Sequence, residues 1–236
     1  MNDKPAETGD FFLTRARLLS GELAENIRQA MPDVHVLSDE ERAASLADML
    51  AAHPDPGDGV WVFAYGSLIW NPAIHIAERR AVHTPEWRRS YCLSVKMGRG
   101  TPENPGLMLG LAPGGGCTGV GLKIAEDLVA QELDILWRRE MVASGYIPRW
   151  VPIHDPENGN AIGHAIAFTI NPAGPSYCGD IDEAEMIYRL ATARGQLGSS
   201  REYLFNTHDG LQLVGITDPF LKRLVALVGQ HEAAPP

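Results

Sequence analysis

The sequence predicts an α+β fold in which helices pack against a closed or nearly closed β-sheet. Strand patterns occur in runs and do not alternate regularly with helices, which disfavours a doubly wound sheet. The chain has 24 glycines and 17 prolines, or 41 of 236 residues, against a usual share of about 12%. This composition predicts many turns. The length indicates one large domain, or one domain with an appendage.

Two helical patterns occupy the first quarter of the chain. They cover Ser20–Met31 and Ser38–Ala52. Ser38 is followed three residues later by Glu41, the spacing of a capping box, in which each side chain bonds the other's backbone N–H. The second helix is therefore predicted to begin just after Ser38.

A stretch rich in proline and glycine separates these helices from the rest of the chain. Residues 53–59 read His-Pro-Asp-Pro-Gly-Asp-Gly, which stops a helix and is typical of a linker. We therefore predict a helical N-terminal extension and linker over residues 1–58 and a main domain over residues 59–236.

The main domain is predicted to open with a buried strand at Val60–Tyr65, a short apolar and aromatic run. Further strands are predicted at Ala81–His83, Ser90–Val95, Leu107–Leu111, Gly119–Ile124, Arg149–His154 and Ala161–Ile170. Helices are predicted at Ala125–Ser144, Ile181–Ala193, Arg201–Asn206 and Pro219–Val228. Gly145, with Pro148 shortly after it, is the expected end of the first of these helices.

Charge and composition exclude several classes of function. The formal net charge is −10, and an acidic surface repels phosphate backbones, which argues against nucleic acid as a partner. No apolar run approaches the ~20 residues that span a bilayer, and the N-terminus lacks a signal-peptide pattern. The three cysteines lack metal-like spacing and are expected to be free thiols in a reducing cytoplasm. The oligomeric state stays open.

Glu140 is the most informative residue of the longest predicted helix. Taking about 100° per residue, Glu140 falls between Leu133 and Leu136 in the middle of an apolar stripe. Burying a carboxylate is costly, so its pKa is expected to rise, as a general acid/base at neutral pH requires. The alternative is a structural ion pair with a nearby arginine.

The turn after the first strand reads Tyr65-Gly66-Ser67-Leu68. A Gly-Ser turn at a strand end exposes successive backbone N–H groups, which can hold a carboxylate or an oxyanion. The alternative is an ordinary strand-to-loop turn. Ser67 does not lie in a Gly-x-Ser-x-Gly elbow, so a hydrolase nucleophile is not indicated.

Arginines supply the remaining candidates. Arg99 heads a loop over residues 99–106 and could bind a substrate carboxylate in bidentate fashion; otherwise the loop is a rigid surface feature. Arg88 and Arg89 point to opposite sides of a strand, so only one of them can face a pocket. The eight histidines include no His-Glu-x-x-His pair, so a metal site is not supported.

Taken together, these features resemble the ChaC-like γ-glutamylcyclotransferases over about residues 59–229. The matching segments, in chain order, are Tyr65-Gly66-Ser67-Leu68-Ile69-Trp70, Arg88-Arg89, the loop 99–106, Arg139-Glu140-Met141-Val142 with Gly145-Tyr146, Glu202-Tyr203-Leu204 and Gly215-Ile216-Thr217-Asp218. No segment is decisive alone, but their order and spacing are specific.

The resemblance implies a small mixed β-barrel with flanking helices and a cytosolic enzyme without a cofactor. Such an enzyme acts on glutathione and releases 5-oxoproline and cysteinylglycine. By the resemblance, Glu140 is the catalytic glutamate. The backbone-binding turn corresponds to Tyr65, Gly66, Ser67 and Leu68, and the distal tyrosine to Tyr203.

One segment departs from the family pattern. Where the family often has Gly-Pro-Ser-Gly-x-Asn, this chain has Gly195-Gln196-Leu197-Gly198-Ser199-Ser200. The role of that loop is therefore open. Two other functions also stay open: a cyclotransferase for other γ-glutamyl amino acids or amines, and a non-catalytic γ-glutamyl-binding module.

Overall fold

A computed structural model describes residues 13–57 and 59–231 of the chain. Three helices come first: α1 (Arg15–Ser20), α2 (Glu22–Ala30) and α3 (Asp39–Ala51). The later helices are α4 (Val129–Glu140), α5 (Glu183–Thr192), α6 (Ser200–Gln212) and α7 (Pro219–His231). Within the described ranges, none of the helices is both long and apolar enough to cross a membrane.

Seven strands build the main sheet. They are β1 (Val60–Ala64), β2 (Glu78–Thr84), β3 (Trp87–Val95), β4 (Gly106–Pro113), β5 (Cys117–Ile124), β6 (Tyr146–His154) and β7 (Ala161–Ile170). The predicted strands from Ala81 onward all lie within observed ones, and β1 ends one residue before the predicted end. Two short strands, β8 (Arg194–Gly195) and β9 (Gly198–Ser199), pair separately.

Five strands close into a barrel. Going round it, β1 pairs with β5, β5 with β2, β2 with β6, and β6 with β7, which returns to β1. All these pairs are antiparallel except β1–β7, which is parallel. The hairpin of β3 and β4 joins the end of β7 through Leu111 and Thr169. The predicted α+β fold, a small mixed barrel with flanking helices, is confirmed.

Helix α4 is anchored to the barrel by its apolar face. Leu133, Leu136 and Trp137 are buried, and the Trp137 ring meets Phe168 of β7 edge-on at 5.3 Å between centroids. Burying a large apolar side chain contributes about 1.5–3 kcal/mol. The helix is therefore held firmly on the barrel, and its C-terminal end has a fixed position.

The N-terminal helices differ from the prediction at one point. Instead of one helix from Ser20, two helices meet at Gly21, whose φ of +77° ends α1 with a left-handed residue, a conformation that favours glycine. The predicted capping box of Ser38 and Glu41 is present at the start of α3. The division into an extension over 1–58 and a domain over 59–236 remains a prediction.

The end of α4 also corrects the prediction. The helix stops at Glu140, four residues before the predicted end at Ser144. Beyond it the chain bends away from the helix axis, and it pairs with the N-terminal segment: Val36 forms a β-bridge with Ala143, and the N–H of Leu37 donates to Val142 O at 3.1 Å. A pairing with the N-terminal segment therefore replaces the last helical turn.

Candidate active site

A small pocket lies between the turn after β1, the end of α4 and the barrel. Its walls are Tyr65, Gly66, Ser67, Leu68, Leu109, Glu140, Tyr146, Phe168 and Tyr203. Six of these nine are the site residues proposed from the sequence, although they come from segments far apart in the chain. Arg99 is the one proposed site residue that does not line the pocket.

The turn after β1 forms one wall because it bends sharply at a glycine. A Cβ on Gly66 would stand 2.5 Å from Tyr203 Oη, so no larger residue fits without moving that ring. A short 3-10 helix then begins at Ser67 and ends at Ile69. The first N–H groups of a helix have no acceptor within the helix. Those of Ser67 and Leu68 are therefore suited to bind an anionic group.

Glu140 closes the opposite wall from the last position of α4. Its side chain is 13% exposed, and Oε1 lies 2.8 Å from Arg139 Nε. Burial raises the pKa of Glu140, and the ion pair and hydrogen bond with Arg139 oppose this rise without cancelling it. The two possibilities foreseen from the sequence, a buried carboxylate of raised pKa and an ion pair with a neighbouring arginine, thus coexist.

Arg139 joins the two walls, and sequence reasoning missed this role. Its guanidinium is buried, donates from Nη2 to Ser67 Oγ at 2.8 Å, and also bonds the carbonyl oxygen of Asn71. One arginine thus bonds both Glu140 and the turn after β1 and fixes their positions relative to each other. The available signal was its place beside a carboxylate at the end of an amphipathic helix.

Three tyrosines line the pocket as neutral groups. Tyr65 Oη donates to Phe168 O at 2.5 Å, and Tyr146 Oη donates to Leu109 O at 3.1 Å. Burial raises the pKa of Tyr203 to about 12 and holds those of Tyr65 and Tyr146 well above the usual value. None of them can act as a base at neutral pH. Tyr146 was not proposed from the sequence, although it lies in a matching segment.

Arg99 lies behind the pocket wall. Its guanidinium sits 5.5 Å from the Trp70 ring centroid and 5.3 Å from that of Tyr203, and Nη1 donates to Ser199 O at 3.0 Å. Burial lowers the pKa of Arg99. The residue supports Tyr203 from behind, and a bond from Arg99 to a substrate carboxylate remains a prediction.

The two adjacent arginines of β3 diverge as expected. Arg89 is buried, forms an ion pair with Asp218 and donates from Nε to Tyr65 O at 2.7 Å, so it fixes the start of the turn. Arg88 is more exposed and pairs with Asp180 at 3.1 Å. Across residues 13–57 and 59–231, no three His, Cys, Asp or Glu side chains form a group that could hold a metal ion.

The chain belongs to the ChaC-like protein family, whose model matches residues 60–231. Among curated relatives, the glutathione-specific gamma-glutamylcyclotransferase of Escherichia coli K12 is 41% identical over 191 residues, which is 81% of either chain. The glutathione-specific gamma-glutamylcyclotransferase 1 of Mus musculus is 30% identical over 187 residues, covering 76% of this chain and 84% of the relative. The resemblance seen in the motifs is confirmed.

A solved structure supports the architecture. The crystal structure of a selenomethionine-labelled gamma-glutamyl cyclotransferase specific to glutathione, from yeast, superposes with a TM-score of 0.67 at 21% identity. The match covers 74% of this chain and 97% of that one. The shared fold is the barrel with its flanking helices.

Proposed function

We propose that the protein degrades glutathione by cyclising its γ-glutamyl group, releasing 5-oxoproline and cysteinylglycine. One feature of the pocket carries the most weight: Glu140, a largely buried carboxylate of raised pKa, lines the same pocket as the turn residues Gly66, Ser67 and Leu68. The names of the relatives, at up to 41% identity, support glutathione as the substrate.

The reaction needs no nucleophile from the protein. The α-amine of the substrate attacks its own γ-carbonyl carbon, a five-membered lactam forms, and the bond from that carbon to the cysteine nitrogen breaks. The flexible γ-glutamyl chain must first be folded so that the nitrogen and the carbon approach to about 3 Å. A narrow pocket with walls on both sides favours that folded conformation.

Proton transfer is the task we assign to Glu140. The attacking nitrogen begins as an ammonium group and ends with one hydrogen, while the leaving nitrogen gains two. Two protons therefore pass from one nitrogen to the other, and a carboxylate between them can accept and return each in turn. The raised pKa of Glu140 makes it a stronger base than an exposed glutamate, while the ion pair with Arg139 favours its ionised form.

The turn after β1 binds the charge of the substrate in this proposal. The N–H groups of Ser67 and Leu68 would hold the α-carboxylate or the oxyanion that develops on the γ-carbonyl oxygen. Tyr65 and Tyr203 would complete the binding site as neutral groups on neighbouring walls. Glu140 lies opposite the turn, so one substrate can touch both.

The proposal extends to location. All three cysteines are free, and burial raises the pKa of Cys92 to about 11, which makes it a poor nucleophile. Free thiols are typical of the reducing compartment in which glutathione is kept reduced. We therefore expect the enzyme to work in the cytoplasm.

Incubation of the purified protein with glutathione, followed by mass spectrometry of the products, tests this function. We expect 5-oxoproline and cysteinylglycine in equal amounts, with no added metal or cofactor. A panel of γ-glutamyl amino acids and amines, run in parallel, tests specificity. Faster release of 5-oxoproline from another donor would favour a broader cyclotransferase. Ligand binding without 5-oxoproline from any donor would favour a binding module.

A further inference from the structure

A second buried carboxylate lies on the same helix as Glu140. Glu132 is fully buried and receives two hydrogen bonds from Arg15 of α1, at 2.5 and 2.9 Å. Its Oε2 also accepts from the backbone N–H of His75 at 3.0 Å. A bidentate arginine pair with a further donor has a defined geometry, so α1 is locked to α4 at this point.

The same helix forms hydrogen bonds with the loop after the pocket turn at two points. Glu132 and Arg139 are seven residues apart, or about two turns, and so face the same side of α4. Glu132 holds the N–H of His75, and Arg139 holds the carbonyl oxygen of Asn71. Residues 71–75, the strap loop, are therefore fastened to the helix at both ends.

The backbone of the strap loop is strained, and its conformation depends on the hydrogen bonds at its two ends. Ala73 at its centre has φ of +58°, and no other non-glycine residue in the described part of the chain has a positive φ. An alanine keeps such a conformation only where its surroundings fix it. Loosening either end would let the loop relax and move the carbonyl group of Asn71 that Arg139 bonds.

The N-terminal segment touches this network at two further places. Asn71 Nδ2 donates to Leu13 O at 3.1 Å. Asn71 thus bonds Arg139 through its backbone and, through its side chain, a residue just ahead of α1. Leu37 donates to Val142 O just after Glu140. All these N-terminal residues precede residues 60–231, the part matched by the family model.

We propose that Arg15 is a positioning residue for the reaction: by locking Glu132 and the strap loop, it fixes Arg139 and so the orientation of the Glu140 carboxylate. The N-terminal segment is then a working part of the active site. This inference rests on the proposed function, because the orientation of Glu140 is measured by its chemistry. Displacement of a catalytic group by about 1 Å can cost on the order of 100-fold in rate.

Kinetics of the full chain test the proposal. We expect Arg15→Met to lower kcat for 5-oxoproline release from glutathione by about 10- to 100-fold, with KM changed by less than about threefold. Arg15→Lys keeps the charge but loses the bidentate geometry, so it should fall between Arg15→Met and the wild type. Arg28→Met is the matched control, because Arg28 pairs with Glu25 within α2 and both are about half exposed.

A pH profile separates positioning from loss of folded protein. The charged and titratable groups that face Glu140 are Arg139, Tyr65, Tyr146 and Tyr203. If Arg139 loosens, burial acts on Glu140 with less opposition, and the acid limb of kcat should move to higher pH in Arg15→Met. A smaller folded fraction would lower the whole profile without moving the limb.

A double variant covers the case in which Arg15→Met fails to fold. Arg15→Met with Glu132→Met removes the buried carboxylate together with its partner, and apolar replacements of a buried pair are often tolerated. We expect the double variant to fold and to show the same loss of kcat. A kcat within twofold of Arg28→Met in the folded single or double variant would overturn the proposal. A wild-type protein that releases no 5-oxoproline would overturn the proposed function itself.

Discussion

Helix α4 carries two carboxylates that are largely or fully buried, and their pKa values are shifted in opposite directions. Burial raises the pKa of both Glu132 and Glu140, but in Glu132 hydrogen bonds from Arg15 and from the N–H of His75 outweigh it, and the pKa falls below its usual value. In Glu140 the bonds from Arg139 do not outweigh burial, and the pKa rises. The difference teaches that the balance between burial and the donors around a carboxylate decides whether it is fixed in its ionised form or can exchange a proton.

The fold places the two carboxylates accordingly. Glu132 faces the N-terminal helices and is closed off from solvent. Glu140 faces a pocket and keeps part of its side chain accessible. One residue therefore holds structure together, and the other is available to a ligand.

Of the variants considered, Glu140→Gln should have the largest effect on the rate of 5-oxoproline release. A positioned acid/base supplies about 10²–10⁴-fold in rate, so 5-oxoproline release should fall by at least about that range while the fold survives. Glu126→Gln is the control, because it neutralises an exposed carboxylate just ahead of the same helix. Equal turnover by the two variants would remove Glu140 from the mechanism.

Arg15→Met should lower the free energy of unfolding, because it leaves the buried carboxylate of Glu132 without its partner. Breaking a fully buried ion pair costs about 3–5 kcal/mol, and because Arg15 is 26% exposed we expect about 2 kcal/mol here. The lowered pKa of Glu132 means that its contribution is present above the unfolded-state value of about 4.3 and is lost as pH falls through the folded-state pKa. Urea denaturation should show the deficit at neutral pH and a smaller one near pH 3, below about 4.3. If the deficit is the same at both pH values, the stability is lost through side-chain packing and not through the charge of Glu132.

Gly66→Ala should disturb the pocket by crowding. The added Cβ would stand 2.5 Å from Tyr203 Oη, and overpacking typically costs about 1–3 kcal/mol. Adding Tyr203→Phe removes the clashing oxygen and should restore most of the lost stability in thermal unfolding. If the double variant is no more stable than Gly66→Ala, the clash does not limit this position.

Ser67→Ala should have the smallest effect. It removes one acceptor of Arg139, worth about 0.5–1.5 kcal/mol, or roughly 2- to 12-fold in kcat/KM. Steady-state kinetics with glutathione measure it. A loss as large as that of Glu140→Gln would mean that Ser67 takes part in the chemistry directly.

Local patterns in the sequence predicted the strands well, because alternation and turn residues act over a few positions. Closure of the barrel was a general expectation, but the β1–β7 pairing that completes it joins Trp61 to Ala165 and leaves no local signal. The end of α4 was predicted too late for a similar reason. Val36 and Leu37 pair with the segment after Glu140 from over 100 residues away.

The candidate site was predictable where a residue conflicts with its surroundings. Glu140 interrupts an apolar stripe, and Gly66 and Ser67 end an apolar strand in a turn, so both were visible in the sequence. Glu132 gave no such sign, because its role depends on Arg15 and on the strap loop. Arg139 was visible as a neighbour of Glu140, but its bonds to Ser67 and Asn71 were not foreseen, because those residues lie far away in the chain. Arg99 was visible in its loop, but the rings of Trp70 and Tyr203 place it behind the wall.

A titration of both carboxylates by carbon-13 NMR tests the contrast most directly. With labelled glutamate, the signal that disappears in Glu140→Gln identifies Glu140, and the signal lost in Glu132→Gln identifies Glu132. We expect Glu140 to titrate above the ordinary glutamate value of about 4.3 and Glu132 to titrate below it. A Glu140 that titrates at or below Glu132 would contradict the role of Glu140 as the proton carrier.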